Sequence, residues 1–421
     1  MPSPVAIDPT GALVISGNKL FPLGLSNPPP VGKQAPNGKE GLQEVKSAGV
    51  NFIRTGRGKW TVAGIDKEIS DELDLQKAAA DHGLNTWLYL GEVPDLPGPQ
   101  GSSNEALLNK IVNAVKTQPA LAAYKAMDEP RNPFRGDNWI RPAGLVTAYQ
   151  KLKSLDPNHP VVIIQAPRGT VAQLTPYRPA LDITGADIFP LAYPPGEHAD
   201  LPNKDLSVVG DITRKMVQAA GPKPVWTTLQ IAWTGTLPAD TRPNVVPRFP
   251  SLHDERFMAY QAIVAGARGL MFFGGHLTQV MRPADAQAGW NWTFWNLVLR
   301  PLLLELTSDS VRPALVAPKS TANVEASAGD VELVTRQTSD FLYVIAVRRG
   351  GSTTQVTFTG LPKKKNGSAI AGGEVMFEYV QRPLPPPVEP DKQAFRPISV
   401  TNSSFRDWFG PHDVHVYRFA R

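Results

Sequence analysis

Eight apolar segments of strand length recur between residues 20 and 307, and segments with helical periodicity lie between them. Each strand–helix unit takes about 36 residues, which suits the repeat of a closed (β/α)8 barrel. An open doubly wound sheet has the same local pattern, but no Gly-rich phosphate loop follows the first strand, and eight strands favour closure. The strand candidates are residues 20–25, 50–55, 84–90, 121–127, 161–165, 181–189, 224–230 and 269–273.

The segments between these strands are predicted to be helices, and two of them end in a glycine. Gly49 and Gly83 each follow a helical segment and precede a strand, where glycine readily adopts the left-handed conformation that ends a helix. The strongest helical periodicity lies in residues 68–81, 104–116, 137–155, 206–219 and 251–265.

The regions that flank the barrel have a strand-like pattern. Residues 5–19 are predicted to form a small hairpin, because two short apolar runs surround the turn residues Asp8-Pro9-Thr10-Gly11. After residue 308 the helical period disappears, and short alternating segments predict an all-β sandwich. We therefore predict an α/β chain with a TIM-barrel domain at 1–308, which includes the hairpin, and an accessory β-sandwich domain at 309–421. The strand candidates of the second domain are residues 331–336, 341–348, 353–359, 374–379, 398–402 and 414–419.

Composition excludes several classes of function. The 421 residues contain no cysteine, so disulfides, thiolate metal sites and a cysteine nucleophile are ruled out. The histidines are isolated, which argues against a metal site, and no cofactor motif is present. The net charge of +5 is spread along the chain, so nucleic acid is not an expected partner.

No membrane or export signal is evident, and the oligomeric state stays open. No run of 18 apolar residues occurs, so a membrane-spanning helix is not expected. The opening Met-Pro-Ser-Pro lacks a basic region followed by an apolar core. The expectation is a cytoplasmic protein or the mature form of an exported one.

The fourth predicted strand ends abruptly in two acids and a proline, Asp128-Glu129-Pro130. Active sites of (β/α)8 barrels lie at the carboxyl ends of the strands, so these acids are candidates for catalysis. A proline disfavours the α conformation in the residue before it, which predicts an extended Glu129 at the strand tip. Asp128 either faces the site, where its charge would raise the pKa of Glu129, or faces away and caps the next helix.

The other strand ends supply a compatible set of polar and aromatic side chains. Paired carboxyl groups with aromatic rings nearby are typical of sites that cleave glycosidic bonds. Besides Glu129 and Asp128, the candidates are Arg54, Glu92, Asp187, Tyr193, Trp226, Gln230, Trp233 and His276.

The order of motifs resembles the (β/α)8 glycoside hydrolases of clan A, including a trailing β-sandwich. The matching motifs are Phe-Pro-Leu-Gly at 21–24, Gly-Val-Asn-Phe-Ile-Arg at 49–54, Met-Asp-Glu-Pro at 127–130, Lys-Pro-Val-Trp at 223–226 and Gly-Ala-Arg-Gly-Leu at 266–270. The resemblance implies that Glu129 is the acid/base, that Asp128 touches the sugar 2-hydroxyl and that Arg54 braces the carboxylates.

The seventh strand departs from that pattern. Retaining enzymes of the clan carry a nucleophilic Glu there, whereas this chain has Gln230. Asp187 is the preferred second carboxylate, because Asp-Ile-Phe-Pro presents it much as Glu129 is presented. Glu92 is an alternative at the longer spacing of inverting enzymes. The remaining alternative is a barrel that binds carbohydrate without cleaving it.

The sequence thus predicts a glycosidase that uses Glu129 as proton donor and Asp187 as second carboxylate, with a carbohydrate substrate and no cofactor or metal. Arginines on the mouth loops, among them Arg54, Arg57, Arg131 and Arg168, either pair with these acids or favour an anionic sugar such as a uronate. Pairing with the acids is the preferred interpretation.

Overall fold

A computed structural model describes residues 4–96, 103–132, 139–191, 199–231, 249–274, 292–379 and 395–421. Within it, eight parallel strands close into a barrel in the spatial order β10-β11-β4-β5-β6-β7-β8-β9. All eight predicted strands are confirmed. They are β4 (Leu23–Leu25), β5 (Phe52–Gly56), β6 (Asn85–Tyr89), β7 (Leu121–Asp128), β8 (Val161–Gln165), β9 (Ile183–Ile188), β10 (Trp226–Gln230) and β11 (Gly269–Phe273).

The helices surround the barrel, and the five predicted ones are confirmed with ends shifted by a few residues. A capping box at Ser251 and Asp254 begins the helix that precedes β11, and Gly266 ends it in the left-handed conformation at φ 113°. The helices are α1 (Gly41–Ser47), α2 (Ile65–Asp81), α3 (Ser103–Val115), α4 (Pro142–Leu155), α5 (Val171–Leu174), α6 (Val208–Ala220), α7 (Leu252–Ala265), α8 (Arg300–Thr307) and α9 (Arg312–Val316). Short 3-10 and π-helical turns lie at Thr175–Ala180 and Trp295–Leu299.

The amino-terminal hairpin has a third strand and covers one end of the barrel. Strands β1 (Val5–Ile7), β2 (Leu13–Ile15) and β3 (Asn18–Leu20) form an antiparallel sheet. Leu20 therefore belongs to this sheet, and the first barrel strand starts later than predicted. Leu13 is buried together with interior residues of the barrel such as Phe52 and Trp226, so the sheet closes the amino-terminal end.

The carboxyl-terminal region is a sandwich of a three-stranded sheet, β12-β15-β18, and a five-stranded sheet, β13-β14-β19-β16-β17. Apolar side chains of both sheets form the core between them. The strands are β12 (Glu325–Ala326), β13 (Val331–Gln337), β14 (Phe341–Arg348), β15 (Thr354–Thr359), β16 (Gly372–Tyr379), β17 (Phe395–Ser399), β18 (Phe405–Phe409) and β19 (Val414–Ala420).

Two details of the sandwich differ from the prediction. The strand expected at 398–402 lies earlier, at β17, because Asn402 and Ser403 have positive φ and form a tight turn. Strand β18 was not predicted, although Phe405 and Phe409 are buried and Arg406 and Trp408 between them are exposed, which is the alternation of a half-buried strand.

The sandwich is attached to the barrel through α6 and α7. Side chains of β14 and β19 belong to the same apolar cluster as both helices. Beside this cluster, Arg349 pairs with Asp211 of α6 at 2.7 Å and with Glu332 of β13 at 2.7 Å, and Arg214 of α6 pairs with Glu332 at 2.8 Å. None of the described helices is both long enough and apolar enough to cross a bilayer.

Candidate active site

Side-chain alternation along the strands brings polar residues into the barrel near its carboxyl end. Trp226 of β10 lies in the interior cluster, whereas the Thr227 hydroxyl meets Thr213 of α6 at 3.2 Å and so faces outwards. Thr228 and Gln230 therefore share the inward face with Trp226. By the same alternation Asp187 follows Ile183, another member of the interior cluster, on β9.

A buried lysine is the central cation of this region. Lys125 of β7 is 3% exposed, and its Nζ lies 2.6 Å from Oδ1 of Asp128. The same nitrogen lies 5.2 Å from the Trp87 ring centroid and 5.0 Å from that of Tyr89. Asp128 consequently faces the barrel interior, rather than capping a following helix, and pairs with a buried cation.

Asp187 is buried beside these charges and is poorly compensated. It is 8% exposed, and within the described ranges its Oδ1 has no hydrogen-bond partner. Burial raises the pKa of Asp187 well above its usual range, and the charges of Asp128 and Glu129 raise it further. Lys125, together with Thr228, which lies opposite Asp187 in the strand pairing, acts in the lowering direction without overcoming burial.

Glu129 stands at the tip of β7 in a left-handed conformation with φ 43°, so the prediction of an extended residue is wrong. A following proline disfavours the right-handed α conformation of Glu129. The left-handed conformation that Glu129 adopts lies outside that disfavoured region, as an extended one would. The backbone is held on both sides: the Glu129 amide donates to the Ile164 carbonyl at 2.7 Å, and the Glu129 carbonyl accepts from the Asn132 amide at 2.9 Å. A positive φ at a residue other than glycine costs about 1–3 kcal/mol and is concentrated at functional sites.

The Glu129 carboxylate is half-buried and has a fixed neighbour. The Asn132 side-chain amide donates a hydrogen bond to its Oε2. The turn that places Asn132 three residues after Glu129 therefore orients the carboxyl group as well as the backbone.

Arg54 approaches the site through an aromatic ring rather than through a carboxylate. Its guanidinium lies 5.6 Å from the centroid of the Tyr89 ring, which Lys125 also approaches. In the described part of the chain Arg54 forms no ion pair with an acid, so the expected direct bracing of the carboxylates is not found. Tyr89 of β6 thus contacts a cation from each of the two strands that flank it, β5 and β7.

The amide side chain at the end of β10, Gln230, makes a structural contact. Gln230 is fully buried, and its Oε1 accepts a hydrogen bond from the Leu191 amide at 2.9 Å. Its Nε2 has no partner among the residues that the structure describes. Gln230 thus fastens the segment after β9 to the end of β10.

Two predicted site residues lie elsewhere. Trp226 is at the start of β10, 1% exposed, and packs against Phe52 with ring centroids 5.6 Å apart. It belongs to the interior core at the amino-terminal half, so the expectation of a sugar platform there is wrong. Glu92 lies exposed in the turn after β6, where its carbonyl accepts from Asn104 at 3.3 Å. The predicted site residues Tyr193, Trp233 and His276 lie outside the described residues.

Sequence reasoning missed Lys125 and Tyr89. A lysine in the middle of an otherwise apolar strand, Leu-Ala-Ala-Tyr-Lys-Ala-Met at 121–127, was a usable signal, because a lysine is seldom fully buried unless it is paired. No group of three or more side chains within the described ranges is arranged to hold a metal ion.

Comparisons with known proteins place the fold. The sequence matches no protein-family model and no curated protein. The structure is similar to a glycoside hydrolase family 5 protein from Bacteroides vulgatus, with TM-score 0.62 and 15% identity over 99% of this chain and 92% of that one. It is also similar to a GH30 endoxylanase from Clostridium papyrosolvens, with TM-score 0.51 and 13% identity over 96% and 97% of the two chains.

A third solved structure with the same architecture is an alpha-amylase from Geobacillus thermoleovorans, with TM-score 0.55 and 12% identity over 95% of this chain and 98% of that one. At these identities the likeness concerns the fold. The predicted resemblance is confirmed at that level: the chain has the fold of glycoside hydrolases that combine a closed parallel barrel with a carboxyl-terminal β domain.

Proposed function

We propose that this protein is a glycoside hydrolase that cleaves O-glycosidic bonds of an oligo- or polysaccharide, with Glu129 and Asp187 as its catalytic carboxyl groups. The observation that carries the proposal is the mutual influence of acids at one end of the barrel, where Asp128 and Glu129 both act on the pKa of a buried Asp187. Carboxyl groups whose environments push their pKa values apart are typical of acid/base pairs.

The contacts of the two groups suggest how the proton is divided. Hydrolysis requires one protonated carboxyl group for the leaving oxygen and one ionised carboxylate as nucleophile or base. Burial and the neighbouring acids raise the pKa of Asp187, which suits the role of proton donor. Glu129, half-buried and hydrogen-bonded by Asn132, then serves as the ionised partner. The sequence favours the opposite roles for these two residues, and the pH dependence of activity separates the two assignments.

The remaining candidates would bind the sugar. Lys125 pairs with Asp128, whose carboxyl group would accept a hydrogen bond from a sugar hydroxyl. Arg54, which lies over the Tyr89 ring, would donate hydrogen bonds to the sugar. Further lining residues in the proposal are Tyr193, Gln230, Trp233 and His276.

A panel of glycans and chromogenic glycosides tests the proposal. We expect Glu129→Gln and Asp187→Asn each to lower kcat by about 10²–10⁴-fold, which is the usual contribution of a positioned acid or base. Glu325→Gln and Asp309→Asn are matched controls, because both side chains are exposed and lie away from the barrel mouth. Equal turnover by wild type and the two site variants would refute the assignment.

The alternative function is a carbohydrate-binding barrel without hydrolysis, and Gln230 favours it, since an amide replaces the expected nucleophile. Gln230→Glu separates the two functions. In a hydrolase that uses Glu129 and Asp187, a further buried acid beside them lowers activity. In a binding barrel, glycans bind to wild type without turnover, and the variant gains measurable hydrolysis. Anomeric NMR of the first product then identifies retention or inversion.

A further inference from the structure

A pocket of about 380 Å³ lies on the rim beside the proposed catalytic residues. Its lining includes Arg131, Asn132, Trp139, Arg168 and Asp200. Asn132 is shared between the pocket and the site, because its side-chain amide also donates to Glu129. A group bound in the pocket would therefore lie close to the bond that Glu129 acts on.

Arg131 is held in this pocket by an aromatic ring. Its guanidinium lies 4.9 Å from the centroid of the Trp139 ring, and Arg141 lies 5.2 Å from the same centroid. Within the described ranges Arg131 forms no ion pair. A guanidinium stacked on a ring keeps its N–H edge available, and that edge matches a carboxylate with two parallel hydrogen bonds.

The acid in the lining already has partners. Asp200 accepts hydrogen bonds from Lys215 Nζ at 2.9 Å and from the Gly169 amide at 2.6 Å. Burial acts to raise the pKa of Asp200, but these donors outweigh it and lower the pKa below its usual value. Its charge is thus compensated by Lys215, and Arg131 adds a positive charge to the lining of the pocket.

Other cations near the rim have different tasks. Asp128 is paired with Lys125 at 2.6 Å, and Arg54 lies on Tyr89. Arg57 pairs with Glu68 and Asp71 of α2, with nitrogen–oxygen distances of 3.9 and 3.7 Å. The contacts of Arg54, Arg57 and Arg131 therefore give no support to the interpretation that the mouth arginines neutralise the catalytic acids.

We propose that Arg131 and Arg168 form a subsite for the carboxylate of a uronic acid residue, so that the substrate is an acidic glycan. This inference rests on the proposed function, because it places the uronate next to the bond that Glu129 and Asp187 cleave. Arg131 pairs with the carboxylate, and Asn132 accepts or donates to a ring hydroxyl of the same sugar.

Binding to the full-length Glu129→Gln variant tests the subsite without turnover. Isothermal titration compares β-1,4-linked tetramers of glucuronate and mannuronate with cellotetraose and mannotetraose, which differ from them at C6. We expect at least one acidic tetramer to bind about tenfold or more tightly than its neutral counterpart, with the difference shrinking as salt increases. Adding Arg131→Gln should remove about tenfold in affinity for the acidic tetramer, because a charge-assisted pair is lost.

Arg141→Gln is the matched control, since Arg141 stacks on the same ring but does not line the pocket. Affinity within twofold of the parent for this control, together with the loss in Arg131→Gln, supports the subsite. Should Arg131→Gln fail to fold, Arg168→Gln provides the same comparison. Equal affinity for acidic and neutral tetramers, or equal losses in Arg131→Gln and Arg141→Gln, overturns the inference.

The results for the subsite and for hydrolysis are independent. Arg131-dependent binding of an acidic tetramer that wild type does not cleave supports the subsite and refutes hydrolysis of that glycan. Cleavage of acidic and neutral glycans with the same KM, left unchanged by Arg131→Gln for both, supports the hydrolase and refutes the subsite.

Discussion

The two halves of the barrel interior are built from opposite materials. The amino-terminal half is filled by large apolar side chains such as Phe52, Trp87 and Trp226, closed from outside by Leu13. The carboxyl-terminal half holds two buried ionisable residues, Lys125 and Asp187. The same eight strands support both halves, so the difference comes from the residue types along each strand.

The contrast separates stability from chemistry. Burial of apolar side chains stabilises the fold, whereas burial of an acid beside other acids costs free energy. A chain tolerates such an arrangement where it performs a task, and the left-handed Glu129 adds strain at the same place. Substitutions in the two halves should therefore have opposite effects on stability and activity.

The largest effect on stability is expected in the apolar half. Trp226→Ala should lower the free energy of unfolding by about 3–5 kcal/mol, because a large buried ring is lost and a cavity remains. Urea unfolding followed by circular dichroism measures the change. Trp408→Ala is the control, since Trp408 is 58% exposed. A loss below about 1 kcal/mol for Trp226→Ala would contradict the proposed division.

A gain in stability is expected in the polar half. In wild type the pKa of Asp187 is raised in the folded state, so folding stability is lost as pH rises from the unfolded pKa near about 4 towards the folded one. Asp187→Asn removes that loss and should raise the free energy of unfolding by about 1–3 kcal/mol at pH 7, which is the cost of an unsatisfied buried polar group. The same variant should lose activity. Unfolding between pH 4 and 8 should show the advantage of the variant growing with pH. A difference in the free energy of unfolding that stays constant with pH would contradict the assignment of the effect to the raised pKa of Asp187.

The smallest effect concerns the cation that joins the acids. Lys125 lowers the pKa of Asp187, so Lys125→Met should move the limb of the activity profile that Asp187 controls to higher pH. With Asp187 as proton donor this is the alkaline limb of kcat/KM. Lys67→Met is the matched control, because Lys67 is an exposed lysine of α2. An unchanged alkaline limb in Lys125→Met would contradict the claim that Lys125 lowers the pKa of Asp187.

The sequence predicts the barrel well because strand and helix periods are local. All eight strands and the five helices were found, and so was the sandwich. What it misses depends on tertiary contacts. The left-handed Glu129 is fixed by Ile164 and Asn132, and which half of the barrel Trp226 fills depends on its place at the start of β10.

The candidate site shows the same division. Asp128, Glu129 and Asp187 were predicted from strand ends, and the structure brings these acids together. Lys125 was missed because it lies inside the strand, where chemistry was not expected. The two stacking contacts that it makes come from rings on β6, a strand that approaches β7 only when the sheet forms.

The apolar cluster that α6 and α7 share with β14 and β19 has a consequence for handling the protein. Truncation at Thr307 would uncover the outer face of α7, a helix that is buried on nearly every side. It would also leave Asp211 and Arg214 without Arg349 and Glu332. The barrel expressed by itself would tend to aggregate. Heating the whole chain should melt barrel and sandwich together, in one calorimetric peak.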